Sequence, residues 1–159
     1  MTAKEKLQQF DLFISYCHKQ EDLVKKTKAK LVEAGFTVWI DTERPARPEQ
    51  SMYQWMAEGI IQALIVLSFF SKDYEDSENC QCELIFAKTK KKPILYIRAE
   101  EGFRPQEWLC MIMKAAVYLD LTGKKYEEQW KQLMGRVNQD LAPLKQPKRT
   151  NFYKFLYIN

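Results

Sequence analysis

Short apolar runs alternate with stretches of helical period along most of the chain. Phe10-Asp-Leu-Phe-Ile-Ser-Tyr16 reads as a first strand. Leu23, Thr27, Leu31 and Ala34 follow on one helix face, and Gly35 stands where a helix is commonly stopped. Phe36–Ile40 predicts a second strand, and Asp41–Gln50, which holds Pro45 and Pro48, predicts a loop. Met52, Trp55, Met56, Gly59 and Ile60 recur at i, i+3, i+4, i+7 and i+8, the pattern of an amphipathic helix. Leu64–Leu67 is apolar throughout, as a strand covered on both faces should be. Residues 71–77 read as a polar loop, and a helix is expected from about Glu78 to Lys90.

The alternation continues with a fourth strand at Pro93–Ile97. A short helix with Pro105 at its first position uses Trp108, Leu109, Ile112 and Met113. A fifth strand is predicted at Ala116–Asp120. Tyr126, Trp130, Leu133, Met134 and Val137 mark a last helix, which Pro143 and Pro147 should end. Five strands alternating with helices predict an α/β fold, a doubly wound parallel sheet with helices on both faces. Right-handed crossovers favour the flavodoxin-like strand order 2-1-3-4-5. There is no internal repeat and no low-complexity tract.

Composition narrows the function classes. The chain has 159 residues, of which 46% are hydrophobic and 13% aromatic, enough for one domain with a core. Its formal charge of +4 is concentrated at one end, because residues 143–159 hold Lys145, Lys148, Arg149 and Lys154 and no acid. The body is electrically balanced, which argues against nucleic-acid binding. The longest apolar run, Gly59 to Phe70, is interrupted by Gln62 and Ser68 and is too short to span a bilayer, so no membrane segment is expected. The N-terminal residues lead into no signal-peptide core, and the thiols at 17, 80, 82 and 110 are expected to be reduced in a cytoplasmic protein. Cys80-x-Cys82 is not a zinc spacing and His18 is the only histidine, so neither a metal site nor Ser-His-Asp chemistry has its parts. No glycine-rich phosphate cradle is present.

In an open parallel sheet the ligand crevice lies at the carboxyl ends of the strands. The candidates are Ser15 to His18, Asp41 to Gln50, and Ser68 to Glu83. A phosphoreceiver would need an acidic pair after the first strand and an aspartate after the third, and this chain has Ser15-Tyr16 and Leu67-Ser68 there. In the helix from Glu78, with Ser77 as its N-cap, Cys80, Leu84 and Ala87 should face the sheet and Glu83 lies on the edge of the same stripe. Burial would raise the Glu83 pKa, and the nearby helix N-terminus would oppose that rise. From pattern alone, Glu83 reads first as an edge glutamate reaching solvent or pairing with a lysine. His18 reads as a loop histidine, Arg44 and Arg47 as solvated cations, and Trp39, Trp55 and Trp108 as core. Cys80 reads as a buried small residue rather than a nucleophile, because no base is near it in sequence. Phe152–Ile158 is too apolar for a solvated tail. It either docks on the body or begins a neighbouring module.

Several of these segments together resemble the Toll/interleukin-1 receptor (TIR) domain family. Phe10–Tyr16 is similar to its first signature box, and Gly35-Phe-Thr-Val-Trp-Ile-Asp41 to its second strand and the entry to its BB loop. Ser77-x-Asn79-Cys80-x-x-Glu83-Leu84 resembles the family's S-x-x-C-x-x-E-L helix. Lys92–Tyr96 and Pro105-x-x-Trp108-Leu109 resemble later boxes of the subgroup found in multidomain invertebrate proteins. The resemblance covers about residues 8–140 and leaves 141–159 as a basic, aromatic tail or linker.

The resemblance implies one of two activities. Some TIR domains are adaptors that assemble through the BB loop, here Thr42, Glu43, Arg44, Pro45, Arg47 and Pro48. Others cleave the nicotinamide–ribose bond of NAD in immune or cell-death signalling, using a glutamate whose position here is Glu83. The resemblance then implies that Ser15, Tyr16, His18, Asp41, Arg44, Arg47, Ser68 and Cys80 surround the substrate. NAD is the substrate, no other cofactor is implied, and the domain self-associates with other TIR domains. One carboxylate suffices for such chemistry. Ordinary glycosidases need a second acid to protonate an alkoxide, whereas nicotinamide leaves NAD already neutral. What remains is to stabilise positive charge growing on the ribose. This chain departs from the axon-degeneration enzyme of the family in carrying Cys17 and His18 where that enzyme has two basic residues, and prolines where its BB loop uses glycine.

Overall fold

A computed structural model describes residues 9–43 and 49–145. Five parallel strands, β1 (Phe10–Tyr16), β2 (Val38–Trp39), β3 (Ala63–Phe70), β4 (Ile94–Arg98) and β5 (Tyr118–Asp120), form one sheet in the order β2-β1-β3-β4-β5. This is the flavodoxin-like α/β order expected from the alternation. Among the described residues six α-helices accompany the strands: α1 (Glu21–Glu33), α2 (Met52–Gln62), α3 (Lys72–Glu75), α4 (Glu78–Thr89), α5 (Trp108–Met113) and α6 (Tyr126–Lys145).

Strand periodicity sorts the core onto two faces. Leu12, Ile14 and Tyr16 of β1 and Ile65, Leu67 and Phe69 of β3 pack with Val24 and Leu31 of α1 and Leu133, Val137 and Leu141 of α6. Phe13 and Val66 point the other way, into a cluster with Met56 and Ile60 of α2 and Ala87 of α4. Phe70 continues that face into Tyr74, Cys80, Leu84, Leu109 and Met113. Ser15 and Ser68 are register partners with the same parity, so both belong to the face that α4 covers.

Local chemistry explains the boundaries. After α1, Gly35 takes φ +93°, a conformation costly for any residue with a Cβ. The Gly35 N–H then donates to Val32 O and the Phe36 N–H to Leu31 O, the paired bonds of a Schellman stop. α2 opens with a capping box in which Ser51 and Gln54 satisfy each other's backbone N–H groups. Gly59 faces the Trp39 ring so closely that a Cβ there would stand 2.5 Å from a ring carbon.

Four expectations are corrected. Residues 71–77 contain a turn of helix, α3, because Ser71 accepts from the Tyr74 N–H and Glu100 accepts from the Lys72 N–H. Pro105 does not start α5. The N–H groups of Gln106 and Glu107 donate to the Glu75 carboxylate at 3.0 and 2.9 Å, and the helix begins only at Trp108. β2 and β5 are shorter than predicted, since each edge strand has one ladder partner and the flanking residues are drawn into turns. α6 passes through Pro143 to Lys145. A proline in the last turn removes few helix bonds, and buried Leu141 together with a 2.8 Å Lys145–Asp11 pair holds the end of the helix. Pro147 and the 152–158 stretch lie outside the described residues.

Candidate functional site

β1 and β3 end side by side, and α4 crosses their shared face. Its N-cap is Ser77, whose hydroxyl accepts from the Cys80 N–H. The helix periodicity buries Cys80, Leu84 and Ala87, as the sequence pattern predicts, and brings Glu83 over the sheet beside Ser15. Ser15 Oγ donates to Glu83 Oε2 at 2.5 Å and lies 2.8 Å from the Tyr74 hydroxyl. Burial pushes the Glu83 carboxyl up to about 8, with the Ser15 hydrogen bond opposing the rise and the Asp41 charge adding to it. Desolvation therefore outweighs the Ser15 hydrogen bond. In the free protein at pH 7 the neutral acid outnumbers the carboxylate by roughly ten to one.

The other side of Glu83 opens on an apolar groove of about 250 Å³ between α2 and α4, lined by Tyr53, Met56, Ala57, Ile60, Cys82 and Phe86. Glu83 is the one ionisable carboxyl among the groove's lining residues. At its far end the Tyr53 hydroxyl donates to Asn79 Oδ1 at 3.3 Å.

Of the candidate residues, Ser15, Ser68, Cys80 and Glu83 are gathered on one face. Ser15 and Ser68 are fully buried; the Ser15 hydroxyl is engaged by Tyr74 and Glu83, whereas the Ser68 hydroxyl has no hydrogen-bond partner among the described residues. Burial lifts the Cys80 thiol to about 12, and its Sγ donates to the Tyr16 carbonyl at 3.6 Å. A thiol held protonated in this way is no nucleophile. The Tyr16 ring turns to the opposite face and packs with α1 and α6. Its phenol is pushed upward by burial and by Asp41. His18 is exposed, edge-on to the Tyr16 ring at 5.7 Å, with its imidazole 3.7 Å from Asp41 Oδ2. Asp41 and Thr42 lie in a 3-10 turn that Glu43 closes. Thr42 borders a second, wider cavity of about 520 Å³ with Lys25, Lys28, Val32 and Ile40. Arg44, Pro45, Arg47 and Pro48 lie outside the described residues.

Two residues of this region are missed by the periodicity of the sequence, which offers only the flanking serines at 71 and 77 as a signal. Tyr74 is completely buried, stacked on Trp108 at 6.3 Å, and joins Glu83 through Ser15. Glu75, also buried, caps the approach to α5, while its carbonyl accepts from Trp108 Nε1 at 2.6 Å. Among the described residues no cluster of three or more His, Cys, Asp or Glu side chains could hold a metal ion. Among the same residues no helix is long and apolar enough to cross a membrane.

Comparison with known proteins gives one family. The sequence profile of the TIR domain matches residues 12–134. Among solved structures, the chain is similar to the TIR domain of the Toll-related receptor TRR-2 from the lower metazoan Hydra magnipapillata, at 18% identity and a TM-score of 0.69, covering 82% of this chain and 99% of that one. It is also similar to the TIR domains of the activated Roq1 resistosome, which directly recognises the pathogen effector XopQ. There the identity is 16% and the TM-score 0.52, over 82% of this chain and 84% of that one. At these identities the structural likeness speaks for the fold. No curated protein matches the chain significantly.

Proposed function

The chain belongs to the TIR domain family, and on that premise we propose that it cleaves the nicotinamide–ribose bond of NAD, with Glu83 stabilising the positive charge that grows on the ribose. The observation that carries this reading is the Glu83 carboxyl itself. It is partly buried at the carboxyl end of the sheet, hydrogen-bonded by Ser15 on one side and open to an apolar groove on the other. A carboxylate in such surroundings exerts a far stronger field on a nearby cation than one in water. Nicotinamide departs neutral, so no general acid is needed, and among the described residues no second carboxylate is hydrogen-bonded to Glu83. Water or another nucleophile then takes the ribosyl carbon, and residues 42–50 join neighbouring copies of the domain.

The rival reading, a non-enzymatic module that signals by assembly with other TIR domains, is favoured by residues 17–19. Cys17 is half-buried, His18 lies beside an aspartate, and the Lys19 ammonium is bound to Asp73 at 2.6 Å, so no unengaged lysine or arginine follows β1 to meet a pyrophosphate. Incubating the domain at high concentration with NAD and measuring free nicotinamide separates the two. Release by the parent domain, with a loss of about 10²–10³ in rate for Glu83→Gln, is the expected result. Absence of release from the parent domain refutes the enzymatic reading.

A further inference from the structure

Glu83 is the end of a chain of hydroxyls that starts in the core. The Tyr74 ring is wholly enclosed, and its hydroxyl reaches Ser15 Oγ at 2.8 Å. Ser15, also enclosed, donates onward to Glu83 Oε2 at 2.5 Å. Ser15 of β1 thus joins Tyr74 and Glu83, 59 and 68 residues further along the chain, through two short contacts, the first of them fully buried. We propose that Tyr74 and Ser15 form a hydrogen-bonded relay that holds the Glu83 carboxyl in place and favours its ionised form, making Tyr74 a positioning residue that acts on Glu83 through Ser15.

Proton counting gives the relay its direction. With Glu83 ionised, two hydroxyl protons serve two contacts. Tyr74 donates to Ser15, Ser15 donates to the carboxylate, and every proton in the chain has an acceptor. With Glu83 protonated there are three protons for the same two contacts. The third must leave the chain, either from the carboxyl toward the groove or from Tyr74 toward Ser68. The Ser68 hydroxyl is buried and felt by the Tyr74 phenol, but it stands at no hydrogen-bonding geometry to a described residue. The relay therefore opposes the burial that keeps Glu83 neutral. Removing its first member should weaken the acid, because hydrogen bonds to a charged group are stronger than those to a neutral one.

The other ionisable groups around the carboxyl are few. Asp41, after β2, acts on Glu83 directly and disfavours its charge. Cys80, on the same helix, and the Tyr74 phenol both remain protonated. Cys17 acts on Cys80. From α2, the groove presents Tyr53 and no acid or base. None of these lies between Tyr74 and Glu83, so a change at the Tyr74 hydroxyl reaches the carboxyl through Ser15.

The relay's role in catalysis rests on the NAD reading above, but its test does not. The Glu83 carboxyl is followed by carbon-13 NMR during a pH titration of the protein without NAD. Parent, Tyr74→Phe and Ser15→Ala are compared, with Tyr126→Phe, on the opposite face of the sheet, as control. The expected result is a midpoint about one pH unit higher in Tyr74→Phe, a roughly tenfold weaker acid, and at least as much in Ser15→Ala. The control should match the parent. In the unaltered protein the Cζ resonance of Tyr74 should move with the Glu83 midpoint, a readout that needs no variant to fold. A Tyr74→Phe midpoint equal to the parent's, or a Tyr74 Cζ resonance that ignores the Glu83 titration, overturns the relay. A shifted midpoint in a protein that releases no nicotinamide leaves the relay standing and refutes the enzymatic reading alone.

Discussion

Replacing Glu83 by glutamine should stabilise the domain, and by an amount that depends on pH in a calculable way. The carboxyl sits at about 8 in the folded protein against an ordinary value of 4.5. Below pH 4.5 both the folded and the unfolded chain carry its proton, and its contribution to stability is fully present. Between 4.5 and 8 the unfolded chain ionises first and binds fewer protons than the native one. Stability then falls by about 1.4 kcal/mol for each unit of rising pH. The loss is complete once pH passes the folded value, at up to about 5 kcal/mol. Glutamine matches the carboxyl in size and hydrogen-bonding reach but cannot ionise, so it loses the slope along with the charge.

The difference between the two proteins isolates this one group. Asp11 and Asp120, each held below its usual range after its hydrogen bonds and cationic partner outweigh burial, act equally in both and cancel. From pH 5 to 7.5 the variant's advantage should grow by up to about 3 kcal/mol. Water drawn in through the groove would reduce that figure. Even half of it would widen the gap in melting temperature by about 3–6 °C over the same interval. Thermal or urea unfolding of both proteins at half-unit steps measures it directly. A gap that stays constant from pH 5 to 8 would mean that Glu83 titrates like an exposed glutamate, and the electrostatic account of the site would fall with it.

Gly59→Ala should destabilise the domain by about 1–3 kcal/mol in urea unfolding, because the added methyl meets the buried Trp39 ring at 2.5 Å. Glu75→Ala should cost about 3 kcal/mol, since it leaves the N–H groups of Gln106 and Glu107 without their acceptor. Hydrogen exchange should show the loss first in residues 106–113, and unchanged protection there would contradict the capping role. If the domain releases nicotinamide, kcat/KM should rise with pH through a limb near 8, the free-protein value of Glu83. The matching limb in kcat should lie lower, because a bound cation favours the carboxylate, and coincident limbs would refute that.

Much of this was legible in the sequence because the sheet and the long helices repeat. Strand parity separates Ser15 from Tyr16, and helix periodicity places Glu83 beside Cys80 and Leu84. Tyr74 and Glu75 were hidden for the opposite reason. A four-residue helix has no period to read, and Ser71–Ser77 looks like any polar connection until its buried partners are known. Those partners are distant in sequence. Ser15 is 59 residues from Tyr74, and Gln106 is 31 residues from Glu75. The available signal was local, a serine at 71 followed by Tyr74 and a second serine cap at 77. The ends of β2 and α6 depend likewise on long-range facts: which strand edges are paired, and that Lys145 finds Asp11.

A mostly neutral acid at pH 7 and a role that needs a carboxylate are reconciled by the charge of the proposed substrate. A unit positive charge about 4 Å away, at an effective dielectric of about 20, favours the ionised form by about 4 kcal/mol. That equals about three pH units, enough to carry Glu83 from about 8 back to near its ordinary value. The nicotinium ring brings such a charge on binding, and the ribosyl cation keeps it as the bond breaks. Burial weakens the acid in the free domain and strengthens its field on the cation in the complex, since both follow from the scarcity of water around the carboxyl. The stability that glutamine would restore therefore measures the same desolvation that catalysis would draw on. An assembly module has no use for a carboxyl placed at that expense, and for this reason the cost of Glu83 to the fold weighs toward the enzymatic reading.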